Sequence, residues 1–428
     1  MSGLRQRPYW WDTVDVPAVE SPPAAHVDVA VIGGGITGLS AARAVAKRGA
    51  RVAVLEAQTI GWGASSRNGG MVLTGLKLGA ATLAERYGRE LARDLFETSL
   101  MAVDAVEAVV KAEGIDCQFK RCGHLALASK AAHYQRFEAS AEVLAREFAY
   151  QVRLVPRTEL PDEIGSAAYH GGLVDDASGS INPAQYVAGL ARAARAAGAT
   201  LHEGTAVTNI ERQGSRWRLA TPRGPVDATD VVVATSGYTG AVTQALRKRI
   251  VPLGSYVIVT EPLTEALARE ISPRDRMMYD SRHFLHYFRL TPDRRLLFGG
   301  RARFVPETEL SVIESARVLR RGMLDVYPQL GPVRVDYAWG GTLDFAFDTM
   351  PHAGRTEGYY YALGYAGHGV ALASLLGAMV GEAMSTGRID AIPFARILFP
   401  GAPLGLYWGQ PWFLPFVAAR YKWLDWIG

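Results

Sequence analysis

Three glycines, Gly33, Gly35 and Gly38, have the G-x-G-x-x-G spacing of a dinucleotide-binding turn. An apolar run at residues 27–32 precedes them, and an Ala-rich helical pattern at residues 39–48 follows. Glycine permits a tight turn and lets backbone N–H groups approach a pyrophosphate at the N-terminus of a helix. The spacing therefore predicts a binding site for a nucleotide phosphate.

A carboxylate extends this motif. A second apolar run at residues 51–55 ends in Glu56, about 20 residues after the glycines, where an acidic side chain can accept the ribose hydroxyls of an adenosine. The order of strand, turn, helix, strand and acid distinguishes this segment from an ordinary glycine-rich turn. It does not distinguish NAD from FAD.

The segment after Glu56, residues 61–71, reads GWGASSRNGGM and has few side chains that could fill a core. Such a composition indicates backbone laid against a large flat ligand. We expect Ser65, Ser66 and Arg67 near phosphate and the pair Gly69–Gly70 near the ring.

Two later segments repeat the pattern of a strand followed by small residues. A predicted strand at residues 230–234 leads into ATSGYTG, and another at residues 359–363 leads into GYAGHG and a helix from Val370. The second of these gives another helix N-terminus, which suits an electron-rich ring edge.

Composition limits the classes of protein. The 428 residues are 49% hydrophobic and 21% charged, with a formal net charge of +4, which is typical of a globular protein of two domains and gives no indication of nucleic-acid binding. Two cysteines, Cys117 and Cys122, do not form a disulfide framework or a complete zinc-ligand pattern, and they suit a reducing cytoplasm. We expect no metal site.

Targeting segments are not predicted. The first 12 residues lack the apolar region of a signal peptide. Two uncharged stretches are long enough to test as membrane spans. Residues 358–381 are interrupted by glycines and a histidine, and residues 397–419 by four prolines, so we expect no membrane span. The prediction is a cytoplasmic protein whose oligomeric state the sequence leaves open.

Domain boundaries follow from the change of pattern. We predict an α/β fold in which a Rossmann-like domain with a central parallel sheet comprises residues 26–80, 150–240 and 336–395. A second, α+β domain with a mainly antiparallel sheet comprises residues 81–149 and 241–335. Aromatic-rich terminal arms, residues 1–25 and 396–428, pack on the body.

The motifs VIGGGITGLSAARAVAKRG, LEAQTIGWGASSRNGG and GYAGHGVALA resemble the FAD-dependent amine and amino-acid oxidases of the D-amino-acid oxidase superfamily, in the branch that contains γ-glutamylputrescine oxidoreductase. They lie at both ends of the chain, so the resemblance covers the whole architecture. It implies bound FAD and oxidation of a primary or secondary small-molecule amine. Hydride would pass from the carbon next to nitrogen to flavin N5, the resulting imine would hydrolyse, and O2 or another acceptor would reoxidise the flavin.

The resemblance also implies site residues. Those expected to hold the cofactor, with Val207 gripping adenine, are Gly33, Gly35, Ile36, Thr37, Gly38, Glu56, Ala57, Gly63, Ala64, Ser65, Arg67, Asn68, Gly69, Gly70, Val207, Ala234, Thr235, Gly237, Gly367, His368, Gly369 and Val370. Those expected to position the substrate are His368, Arg301, Tyr256, His286, Trp339 and Tyr365, with His283 and Tyr287 as further candidates.

The chain departs from its relatives at three places. Sarcosine-oxidase-like members carry a Lys where Ala371 stands and an Arg where Gly70 stands, and both hold a substrate α-carboxylate. Their replacement predicts a substrate that lacks an α-carboxylate or anchors it elsewhere. No Cys or His stands at the positions used for covalent attachment, which predicts non-covalent FAD.

Two alternatives remain open from the sequence. A flavin-dependent aromatic hydroxylase that uses NAD(P)H shares the first motif, but it would carry a Gly-Asp pair, and the sequence has none. A non-enzymatic flavoprotein or tRNA-binding relative would carry a clustered basic face, which the sequence does not show.

Overall fold

The computed structural model describes residues 3–14, 22–300, 309–417 and 419–420. Its strands are β1 (His26–Ile32), β2 (Val52–Leu55), β3 (Met71–Val72), β4 (His124–Leu127), β5 (Arg153–Pro156), β6 (Gly171–Asp175), β7 (Gly179–Ser180), β8 (Thr200–His202), β9 (Asn209–Gln213), β10 (Arg216–Ala220), β11 (Val226–Val233), β12 (Ile250–Thr260), β13 (Met277–Asp280), β14 (His286–Leu290), β15 (Leu296–Gly300), β16 (Val335–Ala346), β17 (His352–Thr356) and β18 (Tyr359–Leu363).

The helices alternate with these strands in the first half of the chain. Between β11 and β16, where most strands of the second sheet lie, there are only three of them in the described residues. The helices are α1 (Ile36–Ala46), α2 (Ala64–Arg67), α3 (Ala80–Tyr87), α4 (Arg89–Ala112), α5 (Ala131–Phe148), α6 (Pro183–Ala196), α7 (Gln244–Arg247), α8 (Glu265–Ile271), α9 (Glu309–Val326) and α10 (Gly369–Thr386).

The first sheet has the strand order β17-β18-β11-β1-β2-β8, with β10 and β9 attached to β11. Its four central pairings are parallel, and β1 lies between β2 and β11. Apolar side chains alternate to both faces of β1: Val29 and Val31 pack with α1 and α10, and Ala30 and Ile32 pack with side chains of β10, so the strand is buried on both sides. This is the predicted Rossmann-like layer.

Helix α10 packs closely against α1 because it presents glycines to the backbone of α1. A Cβ at Gly377 would clash with the carbonyl oxygen of Thr37, and one at Gly381 would lie 2.8 Å from the carbonyl oxygen of Ala41. The last helix is thereby held against the first, which brings the two glycine-rich turns together. By length and composition alone α10 could cross a membrane, but ten of its residues are buried in the core.

The second sheet has the order β16-β12-β15-β14-β13-β4-β6-β5 and is antiparallel except where β13 pairs with β4. One face is covered by α9, whose apolar side chains pack with Tyr256, Ile258 and Phe298. The opposite face is turned toward the first sheet, where Val257, Leu297 and Trp339 pack with Trp10. This mainly antiparallel sheet confirms the predicted fold class.

The two sheets do not divide the chain at the boundaries expected from sequence. Helix α4 packs into the core of the first sheet and contacts α10, whereas residues 81–149 were expected in the second domain. Strands β5 and β6 belong to the second sheet, whereas residues from 150 onward were expected in the first domain.

The N-terminal arm is fixed by three aromatic side chains. Trp10 is fully buried and its indole N–H donates to the carbonyl of Asn68 at 2.9 Å. The indole N–H of Trp11 donates to Ser66 Oγ at 2.8 Å, and the Tyr9 hydroxyl donates to Asp293 at 2.7 Å. The arm therefore connects the segment after β2 to the second sheet.

Candidate active site

A cavity of about 640 Å³ lies where the carboxyl ends of β1, β2 and β11 meet the second sheet. Ile32, Leu55 and Val233 are the last residues of these strands, and all three line it. In parallel α/β sheets this edge is where ligands bind, since the turns that follow the strands converge there.

Most of the residues expected to hold the cofactor line this cavity. The exceptions are Gly38, Gly70 and Gly237, which are packed behind its wall. A Cβ at Gly38 would clash with the carbonyl oxygen of Gly33, and one at Gly237 would lie 2.9 Å from the carbonyl oxygen of Leu343. These two positions require glycine for packing, and the expectation of direct lining is corrected.

The turn between β1 and α1 forms one end of the cavity. Gly33 has a φ of +106°, which an L side chain rarely adopts. The Glu56 carboxylate accepts the N–H of Gly34 at 2.7 Å and that of Gln58 at 2.9 Å. Burial raises the pKa of this carboxyl, and the two backbone donors oppose the rise. Glu56 therefore lies beside the α1 N-terminus, where a ribose would be held next to a phosphate.

Helix α2 contributes the cavity-lining side chain of Arg67, which we expected near phosphate. Its guanidinium lies between the rings of Trp62 and Trp11, at 4.5 and 5.0 Å from their centroids. Arg67 Nε donates to the carbonyl of Trp62 at 2.8 Å and a terminal nitrogen donates to that of Gly340 at 3.0 Å. The arginine thus fixes backbone from both domains, in addition to lining the cavity.

The turn before α10 forms the opposite wall. Gly364, Ala366 and Gly367 have φ values of +85°, +51° and +98°. The buried Asp344 carboxylate accepts the N–H of Gly364 at 2.6 Å and that of Tyr365 at 3.2 Å. Burial raises the pKa of Asp344, while these backbone donors lower it. The carboxylate holds this strained turn in shape.

His368 caps α10 and faces the cavity. Burial lowers the pKa of its imidazole to about 3, and the positive charge of Lys77 lowers it further. Its Nδ1 atom has no hydrogen-bond partner among the described residues. A neutral ring with an unsatisfied nitrogen, a helix N-terminus and a cradle of glycine backbone fit the polar edge of a flat ring system such as flavin.

The second sheet supplies the remaining wall through Ser255, Tyr279 and Tyr287. The Tyr287 ring lies flat on Gly299, where a Cβ would clash with it, and a Cβ at Gly69 would lie 3.0 Å from the same ring. Glycine at these two positions therefore admits the tyrosine ring between the domains.

The residues expected to position the substrate are not all brought together. His368 and Tyr365 line the cavity, whereas Trp339 lies behind it and donates to the carbonyl of Arg67 at 2.9 Å. Tyr256 and His286 are on the opposite face of the second sheet, against α9, so their expected placement is corrected. Arg301 lies outside the described residues. Of the further candidates, Tyr287 lines the cavity.

Sequence reasoning missed a buried polar chain that starts at the cavity. The Tyr279 hydroxyl lies 3.3 Å from His124 Nε2, and His124 Nδ1 lies 2.8 Å from Ser178 Oγ. Ser178 contacts Thr74 at 3.1 Å, and the Thr74 hydroxyl donates to Asp175 at 2.6 Å. Burial lowers the pKa of His124. No local motif reveals this chain, because its five members come from four separate segments.

Two positions of the sarcosine-oxidase-like pattern do not face the cavity. Gly70 has a φ of +67°, and a Cβ there would clash with the carbonyl of Ile181. Ala371 is fully buried in the core of the first sheet. The turn at residues 69–70 is fixed by the buried Arg289, which donates to the carbonyls of Gly69 and Ile181, each at 2.7 Å.

Known proteins resemble this chain along most of its length. It is 35% identical to γ-glutamylputrescine oxidoreductase of Escherichia coli K12 over 415 residues, which cover 94% of this chain and 93% of that protein. It is 34% identical to a probable oxidoreductase, OrdL, of Haemophilus influenzae over 365 residues, which cover 84% and 83% of the two chains.

Solved structures share the fold. The crystal structure of glycine oxidase from Geobacillus kaustophilus superposes with a TM-score of 0.71 at 22% identity, covering 88% of this chain and all of that chain. L-Proline dehydrogenase from P. horikoshii superposes with a TM-score of 0.69 over 92% of this chain and 99% of its own.

The family model described as FAD dependent oxidoreductase matches residues 28–383, which include both glycine-rich turns and both sheets. The geometry agrees with that match. The cavity offers a turn that can bind phosphate, the Glu56 carboxylate that can bind a ribose, and the N-terminus of α10 for the flavin ring. The chain belongs to the D-amino-acid oxidase family of FAD-dependent oxidoreductases, and FAD is its cofactor.

Proposed function

We propose that this enzyme oxidises a primary or secondary amine by removing hydrogen from the carbon next to nitrogen. FAD supplies the hydride acceptor in such chemistry, and O2 or another oxidant restores it. The protein holds the amine, excludes water and removes a proton from nitrogen, and the imine product hydrolyses to a carbonyl compound and an amine or ammonia.

One observation carries the proposal: apart from Asp344, whose carboxylate accepts the N–H groups of Gly364 and Tyr365, the wall beside the turn before α10 is built from side chains that are aromatic, aliphatic or hydroxyl-bearing. They are Ser255, Tyr279, Leu285, Tyr287 and Leu343. Only the neutral amine can release hydride, and burial lowers the pKa of an ammonium group. Lys77 also lines the cavity, and its charge disfavours a second cation there. The cavity therefore favours the reactive form of the substrate.

The chain that begins at Tyr279 gives the nitrogen-bound proton a route out. The Tyr279 hydroxyl can accept a proton from the substrate while it passes its own to His124 Nε2. Ser178 and Thr74 continue the connection to the carboxylate of Asp175, which accepts the proton at the end of the chain. In this proposal the amine loses its proton to the second sheet before its C–H bond is broken.

The relation to γ-glutamylputrescine oxidoreductase supports an amine as the substrate class. We further propose that FAD is held without a covalent bond, since Cys117 and Cys122 do not line the cavity. Acid precipitation would then leave the yellow cofactor in the supernatant, whereas a yellow pellet would contradict non-covalent binding. We also propose a cytoplasmic location for this enzyme.

The proposal is tested by mixing the yellow protein anaerobically with a panel of amines and following absorbance near 450 nm, a flavin property. The panel contains polyamines, γ-glutamyl-amines, N-methyl amino acids and aminophosphonates. We expect at least one amine to bleach the flavin without NAD(P)H. Return of colour in air identifies an oxidase, and no return identifies a dehydrogenase with another acceptor. Bleaching by NADPH alone would contradict the proposal in favour of the aromatic hydroxylase.

A further inference from the structure

The segment that follows α10 exposes an apolar surface. Six of the ten exposed large apolar side chains in the described residues lie between positions 398 and 416. Five of them form what we name the C-terminal patch, with exposed fractions of 91% for Leu404, 51% for Leu406, 59% for Trp408, 59% for Trp412 and 72% for Phe416. Such clustering on a protein surface indicates a binding site.

The patch is displayed by an anchored backbone. Tyr407 is buried between the exposed Leu406 and Trp408, and its hydroxyl donates to the carbonyl of Ile250 at 2.8 Å. The indole N–H of Trp412 donates to the carbonyl of Leu406 at 3.1 Å, which joins two turns of the patch. Because Tyr407 is fixed inside, its two neighbours are directed outward.

Positive charge borders the patch. The sequence has no Asp or Glu between residues 391 and 420, whereas Arg420 is exposed at the end of this stretch. The run Arg247–Lys248–Arg249 reaches the same region, since the Arg247 side chain lies against Gly409 and the Arg249 guanidinium lies 5.3 Å from the centre of the Phe399 ring. Lys248 is exposed.

We propose that the C-terminal patch binds the surface of an anionic lipid bilayer. Tryptophan is suited to the headgroup level, leucine and phenylalanine to the acyl boundary, and bordering cations to anionic headgroups. A second copy of this chain fits less well, because a two-fold contact would place the cations of both copies at one interface without acidic partners from residues 391–420.

Lipid contact at this patch would lie close to the cavity. Tyr407 and Leu414 share a buried cluster with Ala366 and Leu343, and the last two residues line the cavity. One layer of side chains therefore separates the patch from the cavity wall. The inference is independent of which amine the enzyme oxidises.

The test is co-sedimentation of the FAD-loaded enzyme with vesicles of phosphatidylcholine, with and without phosphatidylglycerol. We expect binding to the anionic vesicles that weakens as salt is raised. The W408S/W412S variant should lose most of this binding, and K248E should weaken it by about tenfold, the loss expected when a surface cation is reversed. The variant M101S/V318S, which removes exposed apolar side chains elsewhere, should bind normally.

Flavin content and melting temperature verify that each variant is folded. Equal binding by the wild type and W408S/W412S, or no difference between the two vesicle types, would overturn the proposal. A third outcome would also overturn it: the wild type is a dimer in sedimentation velocity and does not bind vesicles, whereas W408S/W412S is a monomer. The patch would then bind a second copy of this chain.

Discussion

The hydroxyl oxygens of Thr37 and Tyr365 lie 2.8 Å apart, although 328 residues separate them in the chain. Thr37 is in the first turn of α1 and Tyr365 is in the turn before α10, and both line the cavity. The bond therefore joins the two ends of the chain at the point where both contribute to the cofactor site.

The variant Tyr365→Phe removes this bond while keeping the ring. A buried hydrogen bond contributes about 1 kcal/mol, so we expect the dissociation constant for FAD to rise about fivefold. Fluorescence of released FAD measures it. Tyr361→Phe is the matched control, because Tyr361 packs on the other face of the first sheet. Equal effects of the two variants would show that the bond does not act on the cofactor site.

Arg289 is a buried cation that donates hydrogen bonds to the backbone carbonyl groups of Gly69 and Ile181. Burial lowers the pKa of its guanidinium to about 10. Arg289→Met leaves the carbonyls of Gly69 and Ile181 without these donors, and we expect a loss of about 2–4 kcal/mol in the free energy of unfolding. Urea unfolding measures it.

The exposed Arg269→Met serves as the control for Arg289→Met, since its ion pair with Glu265 is at the surface. We expect its unfolding free energy to stay within about 0.5 kcal/mol of the wild type. A similarly small effect of Arg289→Met would contradict the supporting role of Arg289.

Sequence reasoning predicted what is encoded locally. Gly33 and Glu56 lie within one strand–turn–helix–strand unit, so their spacing alone predicts their place. The second sheet is different, because successive side chains of a strand point to opposite faces. The sequence indicated Tyr256 and the neighbouring pair His286 and Tyr287, whereas only Tyr287 of these three lines the cavity, together with Ser255. The strands of the second sheet were predicted, but the face that lines the cavity was not.

Tyr279 and His124 could not be predicted to meet. Their contact depends on the parallel pairing of β13 with β4, whose residues are more than 150 positions apart. The residue pattern within β13 or within β4 does not predict that these two strands pair. The buried Arg289 was missed for a similar reason, because its role depends on carbonyls from two distant turns.

The pH dependence of stability tests the buried imidazole of His368. Its pKa is lowered from 6.5 to about 3 in the folded protein. Between these two values the imidazole is protonated in the unfolded chain and neutral in the folded protein. Stability should therefore fall as pH decreases below 6.5 and should be unaffected by this group above it. Between pH 7 and 5 we expect a loss of about 1–2 kcal/mol that His368→Asn abolishes.

His368→Gln is a second variant for this measurement, because it also removes the imidazole and should likewise abolish the loss. A wild-type curve that His368→Asn leaves unchanged would show that His368 titrates normally.

Tyr279→Phe tests the proton route. Without the hydroxyl, the reaction depends on amine that is already neutral in solution, so we expect flavin bleaching to slow by about tenfold near neutral pH and its pH profile to move to higher pH. Tyr287 lines the same wall, and its hydroxyl lies 3.4 Å from Ser255 Oγ, so Tyr287→Phe should change KM without moving the profile. Unshifted profiles in both variants would contradict the route.

The proposed reaction removes hydrogen from the carbon next to the amine nitrogen. It is tested by anaerobic rapid mixing of the FAD-loaded enzyme with the best amine of the panel, unlabelled and with deuterium at that carbon, while absorbance near 450 nm is followed. We expect bleaching by both, with the deuterated amine several-fold slower at saturation. Bleaching at equal rates, or bleaching that requires NADPH, would contradict it.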